Sequence, residues 1–288
     1  MPNAQLRENK YHGSALFPFN IYPCTIPSDF LSVPLHWQNS MEVIFIKRGN
    51  GLVQVGLDML CANAGDIFIL PPGRLHALRQ AGNAKIEYEN IIFSLDFLFG
   101  GADDICTQKY LLPLQAGRLD LPCSATNKDD NYAALAAALH DAESLCAYRP
   151  NGYELGVKAA LLRFLSLLFS AQTLSPTGSD SADTAKLKDV LSLISTKLAS
   201  PLSVDQAAES CGWSSSHFMR WFKKMTGVSF TAFVNEQRLA QAAEALRSTD
   251  DKIVDIAGRV GFENLSNFNR QFKARYGVAP HTYRTETA

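Results

Sequence analysis

At 288 residues, 47% hydrophobic and 19% charged, the chain has the length of one large domain or two ordinary ones and is too apolar for wholesale disorder. Its longest strongly apolar stretch, residues 159–171, is interrupted by Arg163 and Ser166 and falls short of the roughly 18 residues of a membrane helix. The polar opening MPNAQLRENKYHG lacks an apolar signal core, so a soluble cytoplasmic protein with no membrane partner is expected.

The net charge of −1 hides an asymmetry. Residues 1–185 carry 13 Lys and Arg against 18 Asp and Glu, whereas residues 186–288 carry 14 against 10. Such a split suggests two jobs, one of them facing a polyanion. Six scattered cysteines without a CxxC pair are expected to be reduced and mostly buried.

From about Ile21 to Phe97 the sequence alternates short β-branched and aromatic runs with Gly, Pro and Asn. MEVIFIKRGNGLVQVGLDML predicts two strands around Asn50-Gly51, the dipeptide a type I′ hairpin favours. GDIFILPPGRLHAL predicts a buried strand, a Pro-Gly turn and a restarting strand. Helical spacing takes over at residues 132–146 and 153–171, and GVKAALLRFLSLLFS is apolar on most faces, as a helix buried against its own barrel or a second copy would be. QTLSPTGSDSADT then reads as an exposed linker. The expected organisation is a β-rich domain with helices over 1–171, a linker over 172–185 and an all-helical domain over 186–288.

The helical domain contains a repeat. At an offset of 50, SHFMRWFKKMTGV aligns with SNFNRQFKARYGV, identical at seven of thirteen positions. Each copy follows a glycine-aromatic pair, Gly212-Trp213 and Gly261-Phe262, and a short helix, VDQAAESC and IVDIAGRV. One unit is a helix-turn-helix. Ser203 with Gln206 predicts a capping box, and Phe218 with Phe222 predicts a core face. Gly227 and Gly277 predict C-caps. Residues 229–249 predict an amphipathic connecting rod of about 30 Å. That is close to the roughly 34 Å turn of B-DNA that separates successive major grooves on one face.

Residues 253–284 carry Ile253, Ile256-Ala257, Val260-Gly261-Phe262, Ser266, Phe268, Arg270, Phe272-Lys273, Gly277, Pro280 and Tyr283-Arg284. This pattern resembles the signature of the AraC/XylS family of bacterial transcription regulators, over about residues 187–285. The resemblance implies that exposed positions early in each recognition helix read bases: Ser215, Ser216, Met219 and Arg220 in the first, Leu265, Ser266, Asn269 and Arg270 in the second. Arg suits guanine O6/N7, Asn suits adenine, and Met or Leu can pack on thymine methyls. Lys223, Lys224 and Lys273 suit phosphates, and either arginine could hold a phosphate or an internal carboxylate instead.

The β-rich half resembles a cupin, a double-stranded β-helix barrel. His36, Gln38, Glu42 and Gly49 match one cupin motif, and Gly65, Pro71, Gly73 and His76 match the second. Gln38 stands where metal-binding cupins have their second histidine. His36, Glu42 and His76 could still form a two-histidine, one-carboxylate face for a metal, but the preferred reading has no resident cofactor and no metal. His36, Trp37, Gln38, Glu42 and His76 then hold a sugar-like effector. The resemblance implies an α+β two-domain regulator with no enzymatic activity, probing promoter DNA as a homodimer through the helices at 133–139 and 156–170. It also implies RNA polymerase as a partner, activation as the sign and the bacterial nucleoid as the location. The rivals are a metal-dependent cupin enzyme fused to a DNA-binding domain, and a constitutive DNA-binding protein.

Overall fold

The computed structural model describes residues 7–8, 12–101, 103–170, 182–200 and 202–287. The chain divides into two compact units, one spanning Glu8–Ser181 and the other containing Ala182–Ala288. Of the linker expected at 172–185, residues 172–181 lie outside the described residues, while 182–185 begin a helix.

The strands are β1 (Arg7–Glu8), β2 (Phe19–Ile26), β3 (Ser32–Gln38), β4 (Met41–Val55), β5 (Asp58–Asn63), β6 (Ile67–Leu70), β7 (His76–Gln80), β8 (Ile86–Phe93) and β9 (Ser124–Ala125), and β2–β9 belong to the first unit. Strand β4 belongs to two sheets. Its first part pairs with β6 and β8, and its second with β5 and β7, all antiparallel. The hairpin expected at Asn50-Gly51 is therefore corrected: these residues lie inside a 15-residue strand, and the tight turn falls between Val55 and Asp58. The glycines here bend the strand rather than reverse it. Gly49 has φ +79°, beside a register shift between Ile46 and Arg48, and a Cβ there would sit 1.8 Å from the Lys85 carbonyl oxygen.

The continuous burial of MEVIFI follows from the two faces of β4. Met41, Val43 and Phe45 pack under helices α2 (Tyr132–Tyr148) and α3 (Tyr153–Ser170), against residues such as Leu139, Leu161 and Phe164. Ile44 and Ile46 face the barrel interior with Val53, Phe68, Leu78 and Tyr88. Strand alternation puts Glu42 on that interior face too. A short π-helical turn (Thr107–Leu111) after β8 leads into α1 (Leu112–Gln115). Helix α3 is less buried than its composition predicts: Leu155 and Leu162 are exposed. In α2 the large residues of 133–139, Leu135 and Leu139, turn to their own core.

The second unit contains α4 (Ala182–Lys197), α5 (Val204–Ser210), α6 (Ser215–Thr226), α7 (Phe230–Ser248), α8 (Ile253–Arg259), α9 (Leu265–Tyr276) and α10 (Pro280–Thr287). The capping box of Ser203 and Gln206 is present, and Gly227 and Gly277 end α6 and α9 in left-handed conformations. Helix α7 joins the two repeats. Its Arg238 donates to the carbonyls of Leu198 and Ser200, fixing the end of α4.

The two turn glycines make a matched pair. Gly212 (φ +69°) has open space where a Cβ would go, whereas at Gly261 (φ +95°) a Cβ would meet the Leu198 carbonyl oxygen at 2.7 Å and Arg238 Nε at 2.8 Å. Gly212→Ala is expected to cost only the left-handed strain of about 1–2 kcal/mol. Gly261→Ala adds a backbone clash to that strain and is expected to cost more. Denaturant midpoints of the two variants, measured side by side, check the order.

Candidate functional site

In α6 and α9 one face is core and the other is open. Phe218 and Phe222, like Phe268 and Phe272, are fully buried. Four- and three-residue spacing then leaves Ser216, Met219, Arg220, Lys223 and Lys224 exposed on α6, and Leu265, Ser266, Asn269, Arg270 and Lys273 exposed on α9. Ser215 differs: it is half-buried, and its hydroxyl donates to Asp205 on α5. Trp213 is half-buried; it packs edge-on against His217 and Trp221, with Lys186 Nζ 4.3 Å from its ring centroid.

Two residues of this face escaped the sequence reading. His217 is exposed on α6, three residues before Arg220, so helical spacing alone could have found it. Asn267 is half-buried, and its Oδ1 accepts from Arg270 Nη2 at 2.9 Å and Gln271 Nε2 at 3.1 Å, which steers the arginine along the helix.

The barrel gathers His36, Gln38, Glu42 and His76 from β3, β4 and β7. His36 and His76 are register partners, their ring centroids 4.2 Å apart. His76 Nε2 lies 3.0 Å from Glu42 Oε2. Gln38 Nε2 donates to the same carboxylate, and the Asn90 side chain hydrogen-bonds it as well. Glu42, His76 and Gln38 are 2%, 1% and 3% exposed, so every charge here answers to its neighbours rather than to water. Trp37 is not part of this cluster. It is buried, but alternation on β3 turns it to the face opposite His36 and Gln38.

Each histidine is oriented by its backbone. His36 Nδ1 lies 2.9 Å from the Pro34 carbonyl oxygen and His76 Nδ1 2.9 Å from that of Arg74, so Nδ1 carries the proton and Nε2 faces the cluster. Burial, reinforced by the charge on His76, lowers His36 to about 4. Burial also disfavours charge on the other two, but their attraction prevails. Glu42 is held down at about 2 by His76, and His76 is held above its ordinary value by Glu42. Between about pH 4.5 and 6.5 the site is a buried imidazolium–carboxylate pair beside a neutral imidazole. Glu8 on β1 reaches it too, with Oε2 3.6 Å from His36 Nε2 and Oε1 3.6 Å from His12 Nε2. No local sequence pattern announces a contact between residues 8 and 36.

All six cysteines carry free thiols, with Cys61, Cys106 and Cys123 exposed rather than buried. Among the described residues no helix is long and apolar enough to cross a membrane.

Comparison with known proteins matches both units. Residues 29–175 match the AraC-like ligand binding domain, and residues 207–286 match a helix-turn-helix domain. The multiple antibiotic resistance protein MarA of Escherichia coli is 34% identical over 102 residues, which cover 35% of this chain and 80% of MarA. The transcriptional activator RhaR of Pectobacterium atrosepticum is 26% identical over 255 residues, covering 87% of this chain and 86% of RhaR. The solved structure of ToxT from Vibrio cholerae, 15% identical, aligns over 93% of this chain and 97% of its own with a TM-score of 0.45. The chain belongs to the AraC family of DNA-binding transcription regulators, with an AraC-like ligand-binding domain preceding its helix-turn-helix domain.

Proposed function

We propose that the protein is a sequence-specific, effector-responsive activator that reads promoter DNA with α6 and α9. The observation carrying this reading is the repeat itself: one chain presents two recognition helices with matching exposed positions, joined by α7, whose 19 residues span about 28 Å. Arg220, Arg270, Asn269, Met219, Leu265, Ser216 and Ser266 contact bases. Lys223, Lys224 and Lys273 contact phosphates, and Ser215 acts through its bond to Asp205. The effector, a polyhydroxylated sugar-like molecule, takes its polar contacts from His36, Gln38, Glu42 and His76, and its binding changes operator affinity. Activation follows the description of RhaR as an activator, which implies an approach to RNA polymerase in the bacterial cytoplasm at the nucleoid.

The protein acts as a homodimer through α3. Leu155, Ala159, Leu162 and Ser166 form an exposed stripe at four-three-four spacing, leucines alternating with small residues, which suits the seam of a helix pair.

The test is binding to a selected operator against random DNA over a salt series. Arg270→Ala is expected to weaken operator binding by about 1–3 kcal/mol and to relax sequence preference at one base pair. Lys273→Ala is expected to weaken both DNAs alike and to reduce the salt slope by about one. Equal losses on both DNAs for Arg220→Ala and Arg270→Ala would overturn the readout assigned to them.

A further inference from the structure

We propose that the N-terminal end of α4 positions the first recognition helix: Asp183 holds α6 through Trp221, and Lys186 holds the turn before it through Trp213. The inference rests on the reading of α6 as a base-contacting helix and adds residues that act through α6. Trp221 is 7% exposed, so its indole N–H needs an acceptor inside the protein. Asp183 Oδ1 accepts that hydrogen bond at 2.9 Å. A charged acceptor makes the bond stronger than a neutral one would, and the helix dipole favours a carboxylate in the first turn of α4. Lys186 lies three residues on, hence on the same face of α4. Its Nζ sits 4.3 Å from the ring centroid of Trp213 and 3.4 Å from the carbonyl oxygen of Cys211, the residue that ends α5. The two tryptophans pack edge-on with centroids 4.9 Å apart, so four side chains close a circuit through α4, the turn and α6.

The tether controls rotation. Phe218 and Phe222 anchor α6 along one buried line, and Trp221, three residues after Phe218, adds a hold on the flank of that line. With that flank fixed, α6 cannot roll about its axis, and roll decides where the neighbouring Met219 and Arg220 point. The second repeat is built differently. The residue 50 places after Trp221 is Gln271, whose Nε2 donates to Asn267 of its own helix at 3.1 Å. Helix α9 is therefore steered from within, whereas α6 is steered from the helix at which the second unit begins. A displacement of the chain at Ala182 reaches α6 through one hydrogen bond, which gives the first repeat a route of adjustment.

The experiment measures binding of the full-length protein to a selected operator, to its single-base variants and to random DNA. Arg220→Ala and Arg270→Ala mark the base pairs that belong to α6 and to α9. Asp183→Ala and Trp221→Phe are each expected to cut discrimination at the α6 pairs by about three- to tenfold. Discrimination at the α9 pairs and affinity for random DNA should stay as in wild type, and the double variant should lose no more than either single one. Asp183→Asn keeps an acceptor and is expected to restore discrimination. Lys186→Gln is expected to act in the same direction as Asp183→Ala. Indole N–H resonances of isotope-labelled protein read the tether directly: the Trp221 signal, assigned with Trp221→Phe, should shift in Asp183→Ala. Circular dichroism and thermal unfolding establish that each variant folds. Losses shared equally by both sets of base pairs, or Asp183→Asn no better than Asp183→Ala, overturn the positioning role. An unmoved Trp221 signal in Asp183→Ala overturns the tether. Loss on random DNA in Lys186→Gln would make that lysine a phosphate contact and overturn its part. Arg220→Ala without any change in base preference would instead count against base reading by α6, and the tether is then judged by the resonance.

Discussion

Phe272→Ala is expected to destabilise the DNA-binding unit by about 3–5 kcal/mol, a large share of the roughly 5–15 kcal/mol that holds a typical domain together. Phe272 is fully buried, and its ring lies 5.6 Å from Phe268, 4.5 Å from Tyr276 and 5.4 Å from Tyr283. Truncation removes the transfer free energy of the ring and leaves a cavity that three aromatic neighbours, fixed on α9 and α10, cannot close. Phe222 holds the same place in the first repeat, among Phe218, Phe230 and Phe233. Both substitutions leave the exposed faces of α6 and α9 chemically intact, so any loss of operator binding tracks the loss of fold. Denaturant unfolding followed by the helical signal measures the effect. A cost below about 1 kcal/mol would show that the second repeat relaxes around the hole.

The helical half was legible because its information is local. Caps at Ser203, Gly227 and Gly277 and phenylalanines four apart each specify structure within one or two turns, and the repeat supplies every feature twice. The barrel was less legible because its decisive contacts are remote in sequence. Asn50-Gly51 carries a hairpin signal, but Gly49 and the close approach of Lys85 turn it into a bend, and only the pairing of β4 with four other strands reveals it. His36, Glu42 and His76 could be placed together by motif spacing. Trp37 could not be placed by chemistry alone, because period-two alternation sends it to the other face. Glu8 and Asn90 carry no local signal at all. Ser215 shows the same limit within a helix: its position is exposed by periodicity, yet Asp205 from the preceding helix engages its hydroxyl.

Glu42→Ala is expected to destabilise the barrel unit by about 3–5 kcal/mol, because it strands a buried imidazolium that has just lost its counter-charge. Glu42 is 2% exposed, pairs with His76 Nε2 at 3.0 Å and accepts from Gln38, so its removal also leaves the Gln38 amide without that partner. The cost depends on pH in a direction the groups dictate. Glu42, lowered to about 2, contributes stability that is present above its unfolded value and lost as pH falls through 2. His76, raised, contributes stability that is present below its unfolded value of about 6.5 and lost as pH rises through its folded value. The two contributions overlap fully between about pH 4.5 and 6.5, where the variant should differ most from wild type. His36 opposes them on the acid side. Its folded value of about 4 means that the stability of the wild type falls as pH drops from the unfolded value toward 4. Unfolding midpoints of wild type and Glu42→Ala from pH 4 to 8 would display this as a difference curve with a maximum in the acid-to-neutral range. A difference independent of pH would mean that the pair is not ionised in the folded protein, and that the cost comes from packing and hydrogen bonds alone.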